Sequence, residues 1–381
     1  MKKLVAISAL LAALTASCER EPLLHLFDGG DVNVELPVVE LALDAYWSYE
    51  LSYGITYDWR AEWYYGWDST DLQIFGEIGY KEPKVFNLRR YYTGDEPDGE
   101  HTRVMANTIQ GTSFLGQYTW GYWDILVWND VETLDGVQSL NFDEATTLSY
   151  VTAYTNQSMV ASRYSAPEFP NSFYEPEPLF SAYDRAVEIS RDLEDFEYDS
   201  VKNVYVKKLD MILEPITYIY LPQIILHNNN NRIVGVDGSG KLSGMARSTV
   251  LNTGVAGQDA IAVYFNTRFK QGCDKDGETV DIVGGRLLTF GICGQNGNRI
   301  KRADEVKDTH PHYLDITMQF NNGMDSTFVF DVTQQVRERY KGGVLSIELD
   351  VDTIQLPSRK GGSAFDAVVK DYEEETHEFE M

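Results

Sequence analysis

Positive charge is in short supply. Against 59 acidic residues stand 32 basic ones, a net charge of −27. A surface of that sign repels a phosphate backbone, which excludes nucleic acid as a partner class. Cysteine is scarce as well: only Cys18, Cys273 and Cys293 occur in 381 residues. Long apolar runs are missing. The uncharged stretch Leu4 to Leu14 falls short of the roughly 20 residues a permanent membrane helix needs. Long amphipathic helices are missing too, and strands never alternate with helices as βαβ units would. The chain contains no G-x-S-x-G, no phosphate loop and no dinucleotide fingerprint, so the common nucleophile and nucleotide chemistries lose their sequence basis. No catalytic residue and no cofactor is assigned, and the chain reads as non-enzymatic.

What is present begins at the N-terminus. Lys2 and Lys3 precede the apolar stretch, which ends in Leu14-Thr15-Ala16-Ser17-Cys18 before polar Glu19-Arg20-Glu21. A positive start, a short greasy middle and small residues at the end make a secretory signal. The cysteine directly after Ala16 and Ser17 resembles a bacterial lipobox, although Thr15 stands where Leu14 would fit better. The expectation is a signal peptide over residues 1–17 and lipid on Cys18, followed by a tether to residue 30. Each buried lipid methylene contributes roughly 0.8 kcal/mol, so two or more chains hold a protein on a membrane. With Cys18 acylated, Cys273 and Cys293 leave two readings open, a disulfide or two thiols that never meet.

Aromatic residues are abundant, with 24 Tyr, 17 Phe and 7 Trp, which suits pleated, half-buried surfaces. Short strands are expected throughout. In the first half they include Val38 to Leu43, Leu72 to Ile78, Val85 to Tyr92, Thr102 to Ile109, Phe114 to Trp120 and the apolar block Ile125 to Trp128. Residues 162–200, rich in Pro and acids, read as a long loop with a short helix. The second set runs from Val201 through Pro215–His227, a polar turn at Asn228 to Asn231, and strands at Ile261 to Phe269, Thr279 to Phe290, Tyr313 to Phe320, Ser326 to Val332 and Val344 to Leu349. The architecture expected is all-β, two tandem antiparallel β-sandwich domains over 31–202 and 203–357, with an acidic tail from 358 to 381.

Three pieces of the second half carry a resemblance: Leu242-Ser243-Gly244-Met245-Ala246 leading to Thr253-Gly254, Leu288-Thr289-Phe290-Gly291, and Phe330-Asp331-Val332-Thr333-Gln334-Gln335-Val336. Together with Tyr122 to Asn129 and the lipobox, they resemble the Bacteroidetes fimbrillin-like lipoproteins, and among these the fimbrial anchor proteins of major and minor fimbriae. The resemblance implies two transthyretin-like sandwiches on an outer-membrane lipid anchor. It implies other fimbrillin subunits as partners, joined by strand addition. In that family stalk subunits are cut after an arginine, and Arg60 in Asp58-Trp59-Arg60-Ala61 lies within reach of that position.

Other features offer candidate chemistry. Asp274-Lys275-Asp276-Gly277-Glu278 is faintly like a calcium loop, but a hairpin turn suits it better. His310 and His312 could share one strand face as metal ligands, yet no third ligand of matching spacing follows, and no metal is assigned. Glu175 and Glu177 offer paired carboxylates. The aromatic stretches 46–67 and Tyr118 to Trp128 define the alternative function, a surface glycan-binding lipoprotein with host or microbial surface ligands. Burial decides between the two: exposed coplanar rings favour sugar, buried rings favour subunit joining.

Overall fold

The computed structural model describes residues 38–45, 58–131, 139–144, 150–158, 167–193, 195–202, 204–294 and 308–357, with 38–45 described as backbone alone. Cys18, Tyr49, Tyr53, Tyr57 and the acidic tail lie outside the described residues.

In chain order the first strands are β1 (Val38–Ala45), β2 (Val85–Gly94), β3 (Arg103–Gln110), β4 (Ser113–Gln117), β5 (Gly121–Asn129), β6 (Leu140–Asp143), β7 (Thr152–Thr155), β8 (Ser172–Tyr174), β9 (Phe180–Ile189), β10 (Glu197–Asp199) and β11 (Val204–Pro215). They are followed by β12 (Tyr218–His227), β13 (Ile233–Ala246), β14 (Ser248–Val250), β15 (Ala260–Lys275), β16 (Glu278–Gly285), β17 (Leu287–Thr289), β18 (Tyr313–Phe320), β19 (Asp325–Asp331) and β20 (Gly343–Asp350). The fold is all-β, as its sequence pattern leads one to expect.

The first sheet has the order β3-β2-β5-β9-β11-β1-β4, with β10 added to β11. Its two ends, β3 and β4, are consecutive in the chain, joined by the tight turn at Gly111-Thr112. β11 links the layers, pairing β9 at Glu214 and Pro215 and β1 from Val206 to Leu213. Phe86, Leu88, Trp123, Ile125, Val127, Phe180 and Leu213 fill the interior. The second sheet runs β17-β12-β16-β15-β13-β18-β19, with β20 added to β12 and β8 to β15. Here β15 is the bent strand, pairing β13 in its first half and β16 in its second. A small third sheet, β14-β7-β6, and the cluster Trp128, Leu140, Ile216, Leu251 and Phe290 fill the seam between the two large sheets. Because β11 begins at Val204, the first sheet is completed by residues beyond 202.

Three local outcomes differ from the sequence expectation, each for an identifiable reason. Pairing is not purely antiparallel: β1 runs parallel to β11, β20 to β12 and β8 to β15. Such pairs join segments far apart in sequence, which alternation alone cannot foretell. Where a strand was expected over Leu72 to Ile78, the chain forms a helix, α1 (Ser69–Phe75). The Asp68 carboxylate accepts from the N–H groups of Thr70 and Asp71, the Asp71 carboxylate accepts from the Asp68 N–H, and Gly76 ends the helix at φ +76°. Reciprocal capping outweighs a few apolar residues. Where a loop and a short helix were expected after Tyr183, the strand β9 continues to Ile189. It does so through a bulge opposite Asp124 that places Ala186 at φ +56°. Buried Asp124 holds this conformation, accepting from the Ala186 N–H at 2.8 Å and the Tyr183 hydroxyl at 2.7 Å, with His101 Nε2 at 2.8 Å. A strained non-glycine residue persists where neighbours over-determine it.

Candidate functional site

The site begins at β1. This strand is clamped between two others whose sequence positions are remote. It runs parallel to β11 from Val38↔Val206 to Ala45↔Leu213 and antiparallel to β4 from Val38↔Gln117 to Ala42↔Ser113. Without β1, the facing backbone groups of β11 and β4 would stand unpaired along a slot of strand width. Two facing strand edges form a template for another strand. Phe114 and Leu209 pack beside it against the first core, which supplies apolar side chains to a groove of this kind.

From β1 the chain passes through residues outside the description and re-emerges at Asp58 as a strap across the outer face of the second sheet. The need for a cover is written in β12, whose residues from Tyr218 to Leu226 are all buried. Tyr218, Tyr220, Ile224 and Leu226 face the core. Ile219, Leu221 and Ile225 face the other way and are covered by Trp59, Trp63, Tyr64 and Tyr65. Gln223 sits among them, fully buried. Its side-chain amide donates to Glu62 O at 2.6 Å and Ser346 Oγ at 3.1 Å, and its oxygen accepts from the N–H groups of Tyr64 at 3.0 Å and Tyr65 at 3.3 Å. One side chain thus staples three strap backbone groups to the sheet.

A second fastening lies one turn on. Asp71 is wholly buried. It accepts from Tyr65 Oη at 2.9 Å and Arg268 Nη1 at 2.7 Å, and pairs closely with Lys270. Hydrogen bonds from Arg268 and from helix N–H groups hold the Asp68 carboxyl far below the usual range, and burial together with the Asp71 hydrogen bond raises the Tyr65 phenol. Both groups are therefore fixed in one charge state near neutral pH.

Arg60 stands at the strap's leading end, exposed on a single helical turn, Trp59–Ala61. Asp58 Oδ1 caps that turn by accepting from the Arg60 N–H at 3.2 Å, and the guanidinium lies over the Trp59 ring at 4.7 Å from its centroid. Everything after it is fastened by Gln223 and Asp71; everything before it leads to β1.

The remaining sequence candidates have structural partners. Glu177 is buried and accepts from the Ser139 N–H and hydroxyl and the Leu140 N–H, while Glu175 accepts from the Leu288 N–H at 3.0 Å. Both carboxylates hold the seam. Asp274 to Glu278 forms the β15–β16 hairpin, with Asp276 at φ +54° and Gly277 at +89°, the mirror-image turn geometry that such hairpins prefer. Cys273 and Cys293 are both free thiols in separate clusters, Cys273 beside Tyr65 and Val280, Cys293 beside Phe290 and Ala256. Burial pushes the Cys293 thiol up to about 12. Of the ten described rings in the two aromatic stretches, Trp59, Tyr65, Tyr118, Trp123 and Trp128 are buried, and Trp63, Tyr64, Trp67, Trp120 and Tyr122 are half-buried. His310 and His312 do have a third group between them, which spacing from a second histidine could not show. Asp308 lies at His310 Nδ1 at 2.8 Å and at His312 Nε2 at 2.7 Å. The D-x-H-x-H spacing of residues 308–312 was the available signal.

No protein-family model and no curated protein matches the chain. Solved structures do. An adhesin candidate from Bacteroides ovatus is similar over 87% of this chain and 98% of its own, at 12% identity and a TM-score of 0.47. A fimbrial anchor protein from Porphyromonas gingivalis is similar over 82% and 90%, at 11% identity and 0.40. A candidate polysaccharide-binding protein from Bacteroides thetaiotaomicron is similar over 82% and 91%, at 9% identity and 0.41. One of the three, the fimbrial anchor protein, is of the kind the sequence resemblance names.

Proposed function

We propose that this protein is an outer-membrane lipoprotein, held by lipid on Cys18, that anchors or assembles a fimbria by strand exchange with a neighbouring fimbrillin subunit. The observation that carries the reading is the position of β1, inserted between β11 and β4 and followed in the chain by exposed Arg60. An uncut chain fills its own slot and keeps its lipid, and acts as the anchor. A cut after Arg60 separates two things from the strap at once, the lipid-bearing N-terminus and β1, and leaves a slot that a neighbour's strand can enter. The Gln223 and Asp71 fastenings lie on the far side of that bond, so the second sheet stays covered after the cut. Cell adhesion follows from assembly on the surface, and the division into two sandwich domains belongs to the same proposal, with β11 counted in the first and the division therefore after Pro215 rather than near residue 202. Half of the ten described stacking candidates are buried and the other half are half-buried, which supports subunit joining over sugar binding.

The test is intact mass and lipid labelling of the protein from membranes of its native host. Lipid-labelled material starting at Cys18 and lost on Cys18→Ser supports the anchor. An unlipidated chain starting at Ala61 supports a polymerising subunit. An unlipidated chain starting near Cys18 overturns the reading.

A further inference from the structure

On the second sheet, away from the β1 slot, lies a cavity of about 530 Å³ lined by Phe169, Arg247, Gln258, Asp259 and His310 among others. His310 connects it to Asp308, whose carboxylate oxygens meet His310 Nδ1 and His312 Nε2, and to Cys293, a member of the buried seam cluster. Candidate ligand atoms of Cys293, Asp308 and His310 all lie within 4.8 Å of one another. We propose that these three residues bind a borderline divalent metal ion, zinc before others, with the cavity as its entry path and open coordination position.

The donor set decides the ion. A thiolate, an imidazole and a carboxylate suit zinc, whereas calcium and magnesium prefer oxygen ligands alone. Zinc bonds of roughly 2.0–2.3 Å would draw the three ligands inward by side-chain rotation. The scaffold restrains them already. Asp308 is held by His312, which is fully buried. The Nδ1 of His312 lies 3.2 Å from Ser243 O, its N–H donates to Thr333 Oγ1, and its carbonyl accepts from the Val332 N–H. A ligating carboxylate oriented by an outer hydrogen bond is the usual support of a metal site. On the other side, the Gly294 N–H donates to Gly257 O at 3.2 Å and fixes the backbone beside Cys293. Gly244 carries φ +83°, and a Cβ there would meet His312 Nδ1 at 2.5 Å, so the loop approaches the histidine as only glycine allows. Coordination sends the Cys293 thiol proton to solvent and places a neutral imidazole lone pair and the Asp308 carboxylate on the ion.

The experiment uses the full chain stripped with chelator, titrated with zinc chloride and, in parallel, with cobalt(II). The expected result is one equivalent bound with a raised melting temperature, and a thiolate-to-cobalt charge-transfer band. Cys293→Ser abolishes the band, and His310→Gln weakens zinc binding at least about tenfold. Cys273→Ser and His227→Gln leave both unchanged, which excludes the other described thiol and the histidine between Glu278 and Glu348. His310 is partly exposed, so its variant tests the site even if Cys293→Ser fails to fold. No stoichiometric binding, or binding that survives His310→Gln undiminished, overturns the proposal.

Discussion

Replacing Gln223 with Leu keeps the volume of a fully buried side chain and removes all of its hydrogen bonds. Three strap groups then lose their partner, Glu62 O and the N–H groups of Tyr64 and Tyr65. A buried polar group left without a partner costs about 1–3 kcal/mol. Glu62 and Tyr64 are only partly buried and Tyr65 is buried, so water can recover two of the three. The expected loss is about 1–3 kcal/mol, concentrated in the strap. Urea denaturation should show the lowered stability, and amide hydrogen exchange should show Tyr64 and Tyr65 opening ahead of β12. Ser346→Ala removes only one acceptor of the Gln223 amide and should cost about 1 kcal/mol or less. If Gln223→Leu stays within about 0.5 kcal/mol, the range of an ordinary surface change, and leaves exchange at Tyr64 and Tyr65 untouched, the staple does not hold the strap and the reasoning fails.

Three further outcomes are expected. Asp71→Ala leaves the nearby Lys270 ammonium without its buried counter-charge and should cost about 3–5 kcal/mol, read by thermal or urea unfolding, whereas Lys208→Ala, at an exposed pair with Glu197, should cost under about 1 kcal/mol. Burial raises the Asp315 carboxyl to about 6 from 3.8. Its protonated form is favoured in the fold, so its contribution is full below about pH 3.8 and lost as pH rises through 6, a span of about 3 kcal/mol. The difference in unfolding free energy between wild type and Asp315→Asn should fall across that window, and a flat difference curve would refute the assignment. Trp128→Ala empties a buried site in the seam between the sheets and should cost about 3–5 kcal/mol, measured by chemical denaturation.

Sequence alone determined the all-β class and most strand positions, because these depend on local alternation, apolar blocks and turn residues. Tyr313–Phe320 is both the expected strand and β18, and the turn expected at Asn228 to Asn231 carries three asparagines at positive φ. Tertiary structure decided what local pattern leaves degenerate. The run Leu72 to Ile78 looks strand-like until Asp68 and Asp71 cap each other. The acids and aromatics after Tyr183 look loop-like until Asp124 stabilises a bulge from the next strand. Aromatic density around Trp59 and Tyr65 fits an exposed platform and a buried cover equally well, and only the apolar outer face of β12 separates them. The same holds for function. The lipobox resemblance and Arg60 could be read from the chain, but β1 lying between β11 and β4 required contacts between segments far apart in sequence, Val38 with Val206 and with Gln117. The grouping of Cys293 with Asp308 and His310 likewise arises because two segments meet beside Gly244, and chain spacing does not encode that meeting.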